Sequence, residues 1–320
     1  MKLGEFDLIE EIRRRFDVPQ DTLGIGDDCA VLPQHDGKET LVSTDMLVDG
    51  VHFLSDDVTA LDLGWKSAAV NISDIAGMGG RPVGSFLSFA LPGRLDDDWL
   101  LKFIEGYKLL SDMFGCPLLG GDTTSSPDRL CISVTVLGES ETSKSHKRSD
   151  ARVGDLVCVT GCLGDSAAGL QIILDEAAGL RRKSERSDLD WALVDSHYRP
   201  FPQVEAGLTL SATEGVHAMM DISDGVGSDL RHILKASGVE AEVDVNKLPL
   251  SPELKEACSL NEGWDPVHFA LDGGEDYQLL FTATAGAVEE LRKKGLPVTE
   301  IGRITGVSQS LSHRNRCRQS

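Results

Sequence analysis

The stretch ALDLGWKSAAVNISDIAGMGGRP, residues 60–82, carries the clearest fold signal of the chain. Its apolar residues recur at helical spacing over 60–76, which predicts an α-helix with one face turned inward. The closely spaced glycines and the proline that follow are typical of the end of a helix. We expect the inward face to consist of Leu61, Trp65, Ala68, Ala69, Ile72 and Ile75.

Strands and helices alternate on both sides of this helix. Further helices are predicted over residues 5–16, 96–114, 165–174, 226–237 and 286–294, and near Glu253. Strands are predicted over residues 29–32, 40–44, 85–91, 130–136, 156–160, 216–220, 241–245, 277–282 and 298–303. Alternation of this kind in both halves predicts an α/β or α+β protein of two layered domains, without fixing the strand order.

A polar stretch over residues 140–155 is the predicted domain boundary, because it is rich in Ser, Lys, Arg and His and has no apolar period. We therefore expect an N-terminal domain over 1–140, a C-terminal α/β domain over 150–307 and an irregular basic tail over 308–320. A length of 320 residues agrees with two domains of ordinary size.

The charge of the chain limits its partners. With 31 Lys and Arg against 52 Asp and Glu, the formal net charge is -21, which disfavours binding to nucleic acid or to an anionic membrane surface. No apolar run long enough for a membrane span occurs, and residues 1–17 lack the apolar run of a signal peptide. The 7 cysteines lie mostly in apolar stretches, and this odd number is typical of the reducing cytoplasm.

Short acidic segments beside glycine or at the end of an apolar run are the main functional signal. An aspartate next to glycine is easily aimed, and the glycine lets the backbone approach a ligand closely. Mg²⁺ prefers oxygen ligands and usually takes one or two carboxylates together with substrate phosphates. The pattern favours several Mg²⁺ ions that share one polyphosphate, although each segment could also be an ordinary turn or helix cap. The predicted acidic loops are residues 26–28, 43–45, 73–74, 120–123 and 221–225.

The common phosphate-binding motifs are absent from the sequence. There is no P-loop pattern, and residues 197–200, HYRP, do not match the catalytic loop of protein kinases. Residues 160–166, TGCLGDS, run from a strand into a helix start, where backbone N–H groups could hold a phosphate oxygen or form a plain turn. The turn GGEDY, residues 273–277, and His52, shortly after Asp45, are candidates for a substrate pocket or for structural roles.

A set of motifs occurs in a fixed order along most of the chain. They are GIGDDCAV (24–31), STD (43–45) followed by His52, NISDIAGMGG (71–80), GGDT (120–123), GDSAAGL (164–170), DISDG (221–225) and GGEDY (273–277). From about residue 4 to about residue 303 the sequence resembles the thiamine-monophosphate kinase family of the aminoimidazole-ribonucleotide-synthetase-like ATP-binding superfamily. The Asn-x-Ser-Asp and Gly-Gly-Asp pieces are shared across the superfamily, whereas Gly-Asp-Asp-Cys-Ala and Gly-Gly-Glu-Asp-Tyr are more specific to the family.

This resemblance implies the ATP-dependent phosphorylation of thiamine monophosphate to thiamine diphosphate, the last step of thiamine diphosphate biosynthesis, with several Mg²⁺ ions. It implies a homodimer in which the N-terminal domains bind ATP and Mg²⁺ and join into a barrel, with the ATP site near the subunit interface. The implied metal ligands are Asp28, Ser43, Thr44, Asp45, Asp74, Asp122, Asp221 and Asp224. The implied contacts are Gly121, Asp122, Arg148 and Ser223 for ATP, and His52 and Glu275 for thiamine monophosphate.

The expected reaction is a direct in-line transfer, in which a phosphate oxygen of thiamine monophosphate attacks the γ-phosphorus of ATP. A phosphate monoester has a second pKa of about 6 and is mostly ionised at neutral pH, so no general base is required. No arrangement of Ser, His and Asp or of Cys and His indicates a nucleophile. The aspartates are therefore expected to act as metal ligands.

The end of the chain departs from the family pattern. Family members usually end in a segment with an aromatic residue that faces the thiamine ring, whereas SQSLSHRNRCRQS, residues 308–320, contains no Phe, Trp or Tyr. Binding of thiamine monophosphate is expected to be weaker, unless Trp264, Tyr277 or Phe201 fills this role.

Two alternative functions stay open at this point. One is a sister enzyme such as an aminoimidazole ribonucleotide synthetase, a selenophosphate synthetase or a hydrogenase-maturation protein. Against the last two, no cysteine precedes Cys29, and three residues follow Cys317. The other alternative is a non-enzymatic acidic module that binds divalent cations or nucleotides.

Overall fold

A computed structural model describes Leu23 and residues 27–33, 37–141 and 144–307. Over these residues the chain is a mixed α/β structure, as the sequence predicts, and each half contains a five-stranded sheet. The predicted helix over 5–16 and the predicted tail over 308–320 lie outside the described residues. Within the described part of the chain, no helix combines the length and the apolar content needed to cross a membrane.

The first half is a sheet that carries two helices. The elements are β1 (Ala30–Pro33), β2 (Lys38–Val48), α1 (Ala60–Gly77), β3 (Arg81–Pro92), α2 (Asp97–Met113), β4 (Leu118–Ser126) and β5 (Cys131–Glu141). The strand order is β1-β2-β5-β3-β4, and all pairs are antiparallel except β3 with β4, which α2 connects. Strand β5 buries every second residue, including Ile132, Val134 and Val136, which confirms the predicted alternation.

The second half is an antiparallel sheet flanked by seven of the described helices. The elements are β6 (Leu156–Thr160), α3 (Asp165–Ala177), α4 (Asp188–Tyr198), α5 (Val204–Ser211), β7 (Val216–Asp221), α6 (Val226–Ser237), β8 (Val239–Val243), α7 (Pro252–Leu260), α8 (Pro266–Asp272), β9 (Leu279–Ala283), α9 (Ala285–Lys293) and β10 (Val298–Val307). The strand order is β7-β9-β6-β10-β8. Strands β6 and β9 are buried along their whole length, because other elements cover both faces of the sheet there.

Helix α1 lies between the two halves and is buried on nearly all sides. It packs on β2, β5 and α2 of its own half and on β7, α4 and α5 of the other half. The predicted single inward face is therefore incomplete: Leu61 and Trp65 are only half-buried, whereas the polar residues Lys66, Ser67 and Asn71 are fully buried. One apolar face is expected only where the other faces water.

Three of the predicted acidic loops lie inside regular elements. Residues 43–45 belong to β2, residues 73–74 belong to α1, and residues 120–123 belong to β4. The predicted strand over 40–44 and the predicted helix over 60–76 already include residues 43–44 and 73–74, so the strand that the sequence pattern misses is β4. Strand prediction depends on an alternation of apolar and polar residues. Strand β4 is exposed along nearly its whole length and has no such alternation. Residues 27–28 and 222–225 are irregular, as expected.

Candidate functional site

Four aspartates from separate elements meet where the two halves of the chain come together. Asp28 precedes β1, Asp45 lies on β2, Asp74 on α1, and Asp221 ends β7. Gly77, the last residue of α1, lies among them. A Cβ at its position would be 2.6 Å from Asp28 Oδ2 and 2.8 Å from the Asp221 backbone nitrogen. The absence of a side chain at residue 77 therefore makes the close approach of these elements possible.

Serine hydroxyls orient two of the four carboxylates. Ser43 Oγ on β2 donates a hydrogen bond to Asp74 Oδ2 on α1. Ser73 Oγ on α1 donates to Asp221 Oδ2 at 2.6 Å. The Asn-Ile-Ser-Asp segment of α1 thus links the first sheet to the second through its polar side chains.

Repulsion among the four carboxylates makes the cluster unfavourable in the absence of cations. Burial raises the pKa of Asp28, Asp45, Asp74 and Asp221, and the charges of the other three raise that of Asp74 further. Asp28 Oδ2 is buried and meets no donor in good hydrogen-bond geometry within the described residues, although the Asp221 backbone N–H lies close enough to lower the pKa of Asp28. A buried carboxylate that is poorly satisfied by hydrogen bonds is unfavourable, which makes this atom a candidate ligand for a cation.

The oxygen donors of the cluster are the type that Mg²⁺ prefers. Over the described ranges, no group of three or more His, Cys, Asp or Glu side chains converges as a ligand set for one metal ion. Mg²⁺ usually takes one or two protein carboxylates and completes its octahedron with water and substrate phosphates. The arrangement therefore fits ions that are shared with a bound polyphosphate.

Arg148 brings positive charge to the edge of the aspartate cluster. Its Nε donates to Asp28 Oδ1 at 3.1 Å, and its Nη2 donates to the same oxygen. Its backbone N–H donates to Asp27 Oδ2 at 3.1 Å, while burial raises the pKa of Asp27 to about 7. The basic stretch between the halves therefore reaches into the cluster.

A cavity of about 680 Å³ lies between the halves, beside the cluster. The predicted site residues that line it are Asp45, His52, Asp74, Asp221, Ser223, Asp224 and Glu275. A neighbouring cavity of about 730 Å³ is lined by charged side chains such as Arg94 and Asp49, which pair with each other, and includes none of the predicted site residues. We therefore place the candidate active site in the 680 Å³ cavity.

The Gly-Gly-Glu-Asp-Tyr turn presents Glu275 to this cavity with an unusual backbone. Glu275 and Tyr277 have φ angles of 56° and 48°, in the left-handed region. Such a conformation costs a residue with a side chain about 1–3 kcal/mol and is concentrated at functional sites. Hydrogen bonds from the Glu275 N–H to Ser223 O, at 2.8 Å, and from the Tyr277 N–H to Ile222 O, at 2.9 Å, hold the turn in place.

Two buried side chains that sequence reasoning missed contact Glu275. Lys66 Nζ lies 3.1 Å from Glu275 Oε2 and 3.2 Å from His197 Nε2. His197 Nδ1 lies 3.1 Å from the same Glu275 oxygen and 3.1 Å from Ser166 Oγ. Burial, and then the Lys66 charge, lower the pKa of His197 well below its ordinary value, so its imidazole is neutral. Burial also lowers the pKa of Lys66, against the opposing effect of Glu275.

The start of α3 is occupied by a carboxylate of the protein itself. The Gly164 N–H donates to Asp276 Oδ1 at 3.0 Å and to Oδ2 at 2.9 Å. Burial raises the pKa of Asp276 to about 8. The predicted phosphate-binding alternative for residues 160–166 is therefore not supported, and the plain strand–helix turn is the correct interpretation.

Six predicted site residues do not line the cavity. Asp28, Ser43 and Arg148 belong to the aspartate cluster beside it, whereas Thr44, Gly121 and Asp122 lie away from it. Thr44 Oγ1 donates to the carbonyl oxygen of Val134 on the neighbouring strand at 3.0 Å. Gly121 and Asp122 lie on the exposed edge strand β4. The register places Asp122 level with Met46 of β2 but three strands away, on the order of 14 Å at a strand spacing of about 4.8 Å.

The loops that carry His52 and Asp224 are held by local hydrogen bonds. His52 Nδ1 accepts the Val48 N–H at 3.0 Å, so Nε2 is its remaining polar atom. The Asp224 N–H donates to Asp229 Oδ2 at 3.2 Å, and burial raises the pKa of Asp229 to about 7. A side chain of α6 thus stabilises the loop over residues 221–225.

Of the three aromatic residues considered for the thiamine ring, Tyr277 lines the cavity. Phe201 packs against Phe114, with ring centroids 5.3 Å apart, and Trp264 packs against Phe269 at 5.1 Å. Of these three, Tyr277 is therefore the one beside the cavity, which Phe53 and Tyr198 also line.

Sequence comparison identifies two domain families along the chain. Residues 26–140 match the N-terminal domain of AIR synthase related proteins, and residues 152–312 match their C-terminal domain. A protein of Aquifex aeolicus named thiamine-monophosphate kinase is 38% identical over 303 residues, which cover 95% of this chain and 92% of that protein. A protein of the same name from Escherichia coli K12 is 38% identical over 320 residues, which cover 97% and 93%.

Solved structures agree with these matches. A structure described as AaThiL complexed with AMPPCP and TMP has a TM-score of 0.86 and 38% identity, and covers 96% of this chain and 92% of its own. A structure of the hydrogenase maturation protein HypE in complex with ATP has a TM-score of 0.67 at 22% identity, covering 95% and 87%. At that identity the second likeness concerns the fold alone.

Proposed function

Because the chain belongs to the thiamine-monophosphate kinase family within the AIR synthase related proteins, we propose that it phosphorylates thiamine monophosphate to thiamine diphosphate with ATP. The observation that carries this proposal is the shared cavity, which is lined both by Asp45, Asp74 and Asp221 of the cluster and by Glu275. The aspartates suit the polyphosphate end of the substrates. Glu275 and His52 suit the cationic thiamine end.

The proposed step is an in-line displacement at the γ-phosphorus of ATP. An oxygen of the thiamine monophosphate forms the new P–O bond, while the bond from the γ-phosphorus to the β–γ bridging oxygen breaks and ADP leaves. The attacking oxygen is already deprotonated at neutral pH, since the second pKa of a phosphate monoester is about 6. No side chain therefore has to accept a proton.

Most of the aspartates, together with Ser43 and Thr44, are proposed to bind Mg²⁺, and a second set that shares Asp122 is proposed to bind ATP. Bound Mg²⁺ supplies positive charge that offsets the repulsion between two anionic substrates and stabilises the transferring phosphoryl group. The proposed ligands are Asp28, Ser43, Thr44, Asp45, Asp74, Asp122, Asp221 and Asp224. The proposed ATP contacts are Gly121, Asp122, Arg148 and Ser223. The close approach of Asp28, Asp45, Asp74 and Asp221 supports this assignment.

The exposed first sheet supports a homodimer. Strand β4 is an open edge, and apolar side chains of this sheet are exposed: Met46 on β2 by 58%, Phe86 on β3 by 41%, and Leu118 and Leu119 on β4 by 42% and 55%. A long exposed edge with apolar residues is unfavourable in a monomer. A barrel formed with a second copy would cover these residues and would place Asp122 near an interface site.

The dimer is tested by light scattering on the purified protein and on the Leu119→Asp variant. We expect a dimer for the wild type and a monomer for the variant, because a buried unpaired carboxylate at the interface is costly. A wild-type protein that is monomeric at micromolar concentration would contradict the dimer.

We also propose a separate role for each domain. Residues 1–140 would bind ATP and Mg²⁺ and form the dimer, residues 150–307 would complete the substrate cavity, and residues 308–320 would form a tail. A cytoplasmic location is proposed from the cysteines. Cys29, Cys116 and Cys158 are buried free thiols, as is usual in a reducing compartment.

The activity is tested by a coupled ADP-release assay with thiamine, thiamine monophosphate and thiamine diphosphate as separate acceptors. We expect ADP release only with thiamine monophosphate, thiamine diphosphate as the product by chromatography, and loss of activity when Mg²⁺ is chelated. ADP release that does not depend on thiamine monophosphate would contradict the proposal and would favour a sister enzyme.

A further inference from the structure

We propose that Lys66 and His197 are positioning residues, which hold the Glu275 carboxylate in the orientation in which it meets the substrate. This inference rests on the proposed function, because it gives Glu275 the cationic end of thiamine monophosphate to recognise. Both residues act through Glu275. The substrate constant they control is therefore that of thiamine monophosphate and not that of ATP.

Lys66 is a charged side chain in a place where charge is costly. It lies in the middle of α1, with 1% of its side chain exposed, between helices of both halves. An apolar residue of the same length would fill this space without the loss of hydration that an ammonium suffers. Its Nζ contacts Glu275 Oε2 at 3.1 Å. The presence of a buried ammonium here is therefore explained by its contact with the Glu275 carboxylate, and not by a contribution to the stability of the fold.

The hydrogen-bond directions follow from the chemistry of the ammonium. Lys66 donates only, so His197 Nε2, at 3.2 Å, must accept, and the imidazole proton lies on Nδ1. Nδ1 is 3.1 Å from Glu275 Oε2 and 3.1 Å from Ser166 Oγ. Lys66 thus donates to Glu275 Oε2, while His197 Nδ1 lies beside the same oxygen and has Ser166 Oγ as its hydrogen-bond partner. The other oxygen of Glu275, Oε1, is the one that we expect a ligand in the cavity to meet.

The position of Glu275 on the turn explains why fixing its carboxylate would favour substrate binding. Glu275 sits at a φ of 56°, and its side chain is 25% exposed to the cavity. A flexible glutamate there would lose conformational freedom when the ligand binds, which weakens binding. Fixing Oε2 in advance removes that cost. The network therefore pre-organises one carboxylate oxygen for the substrate.

Steady-state kinetics of Lys66→Met test the inference, with each substrate varied in turn. Methionine keeps the length and removes the charge. We expect the KM for thiamine monophosphate to rise roughly tenfold or more, as for a lost charge-assisted hydrogen bond, with the KM for ATP and the melting temperature near wild type. The matched control is Lys38→Met, which removes an exposed lysine paired with Glu139 and should change neither constant.

A double-mutant cycle separates positioning from direct binding. If Lys66 acts through Glu275, then Lys66→Met should add nothing to the KM rise that Glu275→Gln causes. If the KM of the double variant rises by the product of the two single-variant increases, the inference is overturned. An unchanged KM in Lys66→Met would also overturn it. So would an equal rise of the KM for ATP together with a large fall in melting temperature, since that pattern indicates a structural role.

Nitrogen-15 NMR of the imidazoles provides a readout independent of turnover. The His197 signal is assigned by its absence in His197→Asn, and we expect the neutral tautomer with the proton on Nδ1. A wild-type protein that does not phosphorylate thiamine monophosphate overturns the proposed function and this inference together. An active wild-type protein whose His197 carries its proton on Nε2 overturns this inference alone.

Discussion

A single added methyl group at residue 77 should disturb the aspartate cluster. Gly77→Ala introduces a Cβ at 2.6 Å from Asp28 Oδ2 and 2.8 Å from the Asp221 backbone nitrogen. Ordinary contacts between heavy atoms lie at about 3.5 Å. One or both neighbours must therefore move by about 0.7–0.9 Å, the differences between these values.

A shift of this size is large for groups that position a reaction. Misplacement by about 1 Å can cost on the order of 10²-fold in rate. We expect kcat to fall by about 10- to 100-fold, with a higher Mg²⁺ concentration required for half-maximal rate. Extra volume in a packed interior costs about 1–3 kcal/mol of unfolding free energy, so the protein should remain folded at assay temperature.

The ADP-release assay, run across a series of Mg²⁺ concentrations, measures both effects, and thermal unfolding measures stability. The matched control is Gly286→Ala on α9, where a Cβ would meet nothing within 4 Å. That variant should keep the wild-type kinetics and gain about 0.4–1 kcal/mol, as glycine-to-alanine changes do at compatible sites. A folded Gly77→Ala protein with wild-type kcat would refute the placing of Asp28 and Asp221 at the reaction centre.

Three further predictions concern other side chains of the site and the chemistry itself. Asp45→Asn and Asp122→Asn should each lower turnover by about 10²-fold or more at saturating Mg²⁺ while the fold is kept; a variant with half the wild-type rate would contradict its role. Phosphoryl transfer from chiral ATP should invert configuration at phosphorus, and retention or a trapped phospho-enzyme would exclude the one-step mechanism. Burial raises the pKa of Asp276 to about 8, so the folded state holds its proton above the pH at which the unfolded state loses it. The free energy of unfolding should therefore fall as pH rises from about 4 to about 8. The melting temperature of Asp276→Asn, which lacks this group, should rise relative to that of the wild type over the same range. A difference in melting temperature that does not change with pH would contradict the raised pKa.

Elements with one buried face were predictable from the sequence alone. Strand β5 alternates because one face packs on α1, and helix α6 was predicted over 226–237, the bounds that it has. Its buried residues Val226, Leu230 and Ile233 recur at helical spacing. Local patterns suffice where one neighbour covers one face.

Residues whose surroundings come from distant parts of the chain were not predictable in this way. Lys66 shares a helical face with Leu63 and Val70, a weak sign of burial, but its partners Glu275 and His197 lie more than 100 residues away. The phosphate-binding alternative for residues 160–166 fails for a similar reason, since the carboxylate at this turn belongs to Asp276, 112 residues further along the chain. Patterns within a segment carry no information about such partners.

The position of α1 also determines whether the halves can be expressed separately and whether they unfold together. The helix belongs to the first half by sequence, yet Ser73 and Lys66 reach groups that only the second half supplies. A fragment that stops near residue 141 would expose these polar groups and the surrounding apolar surface without their partners. We expect neither half to be expressed as a well-behaved fragment, and unfolding of the two halves to coincide in a single calorimetric transition. If the two domains were encoded as separate chains, each would then need the other to be synthesised at the same time in order to fold.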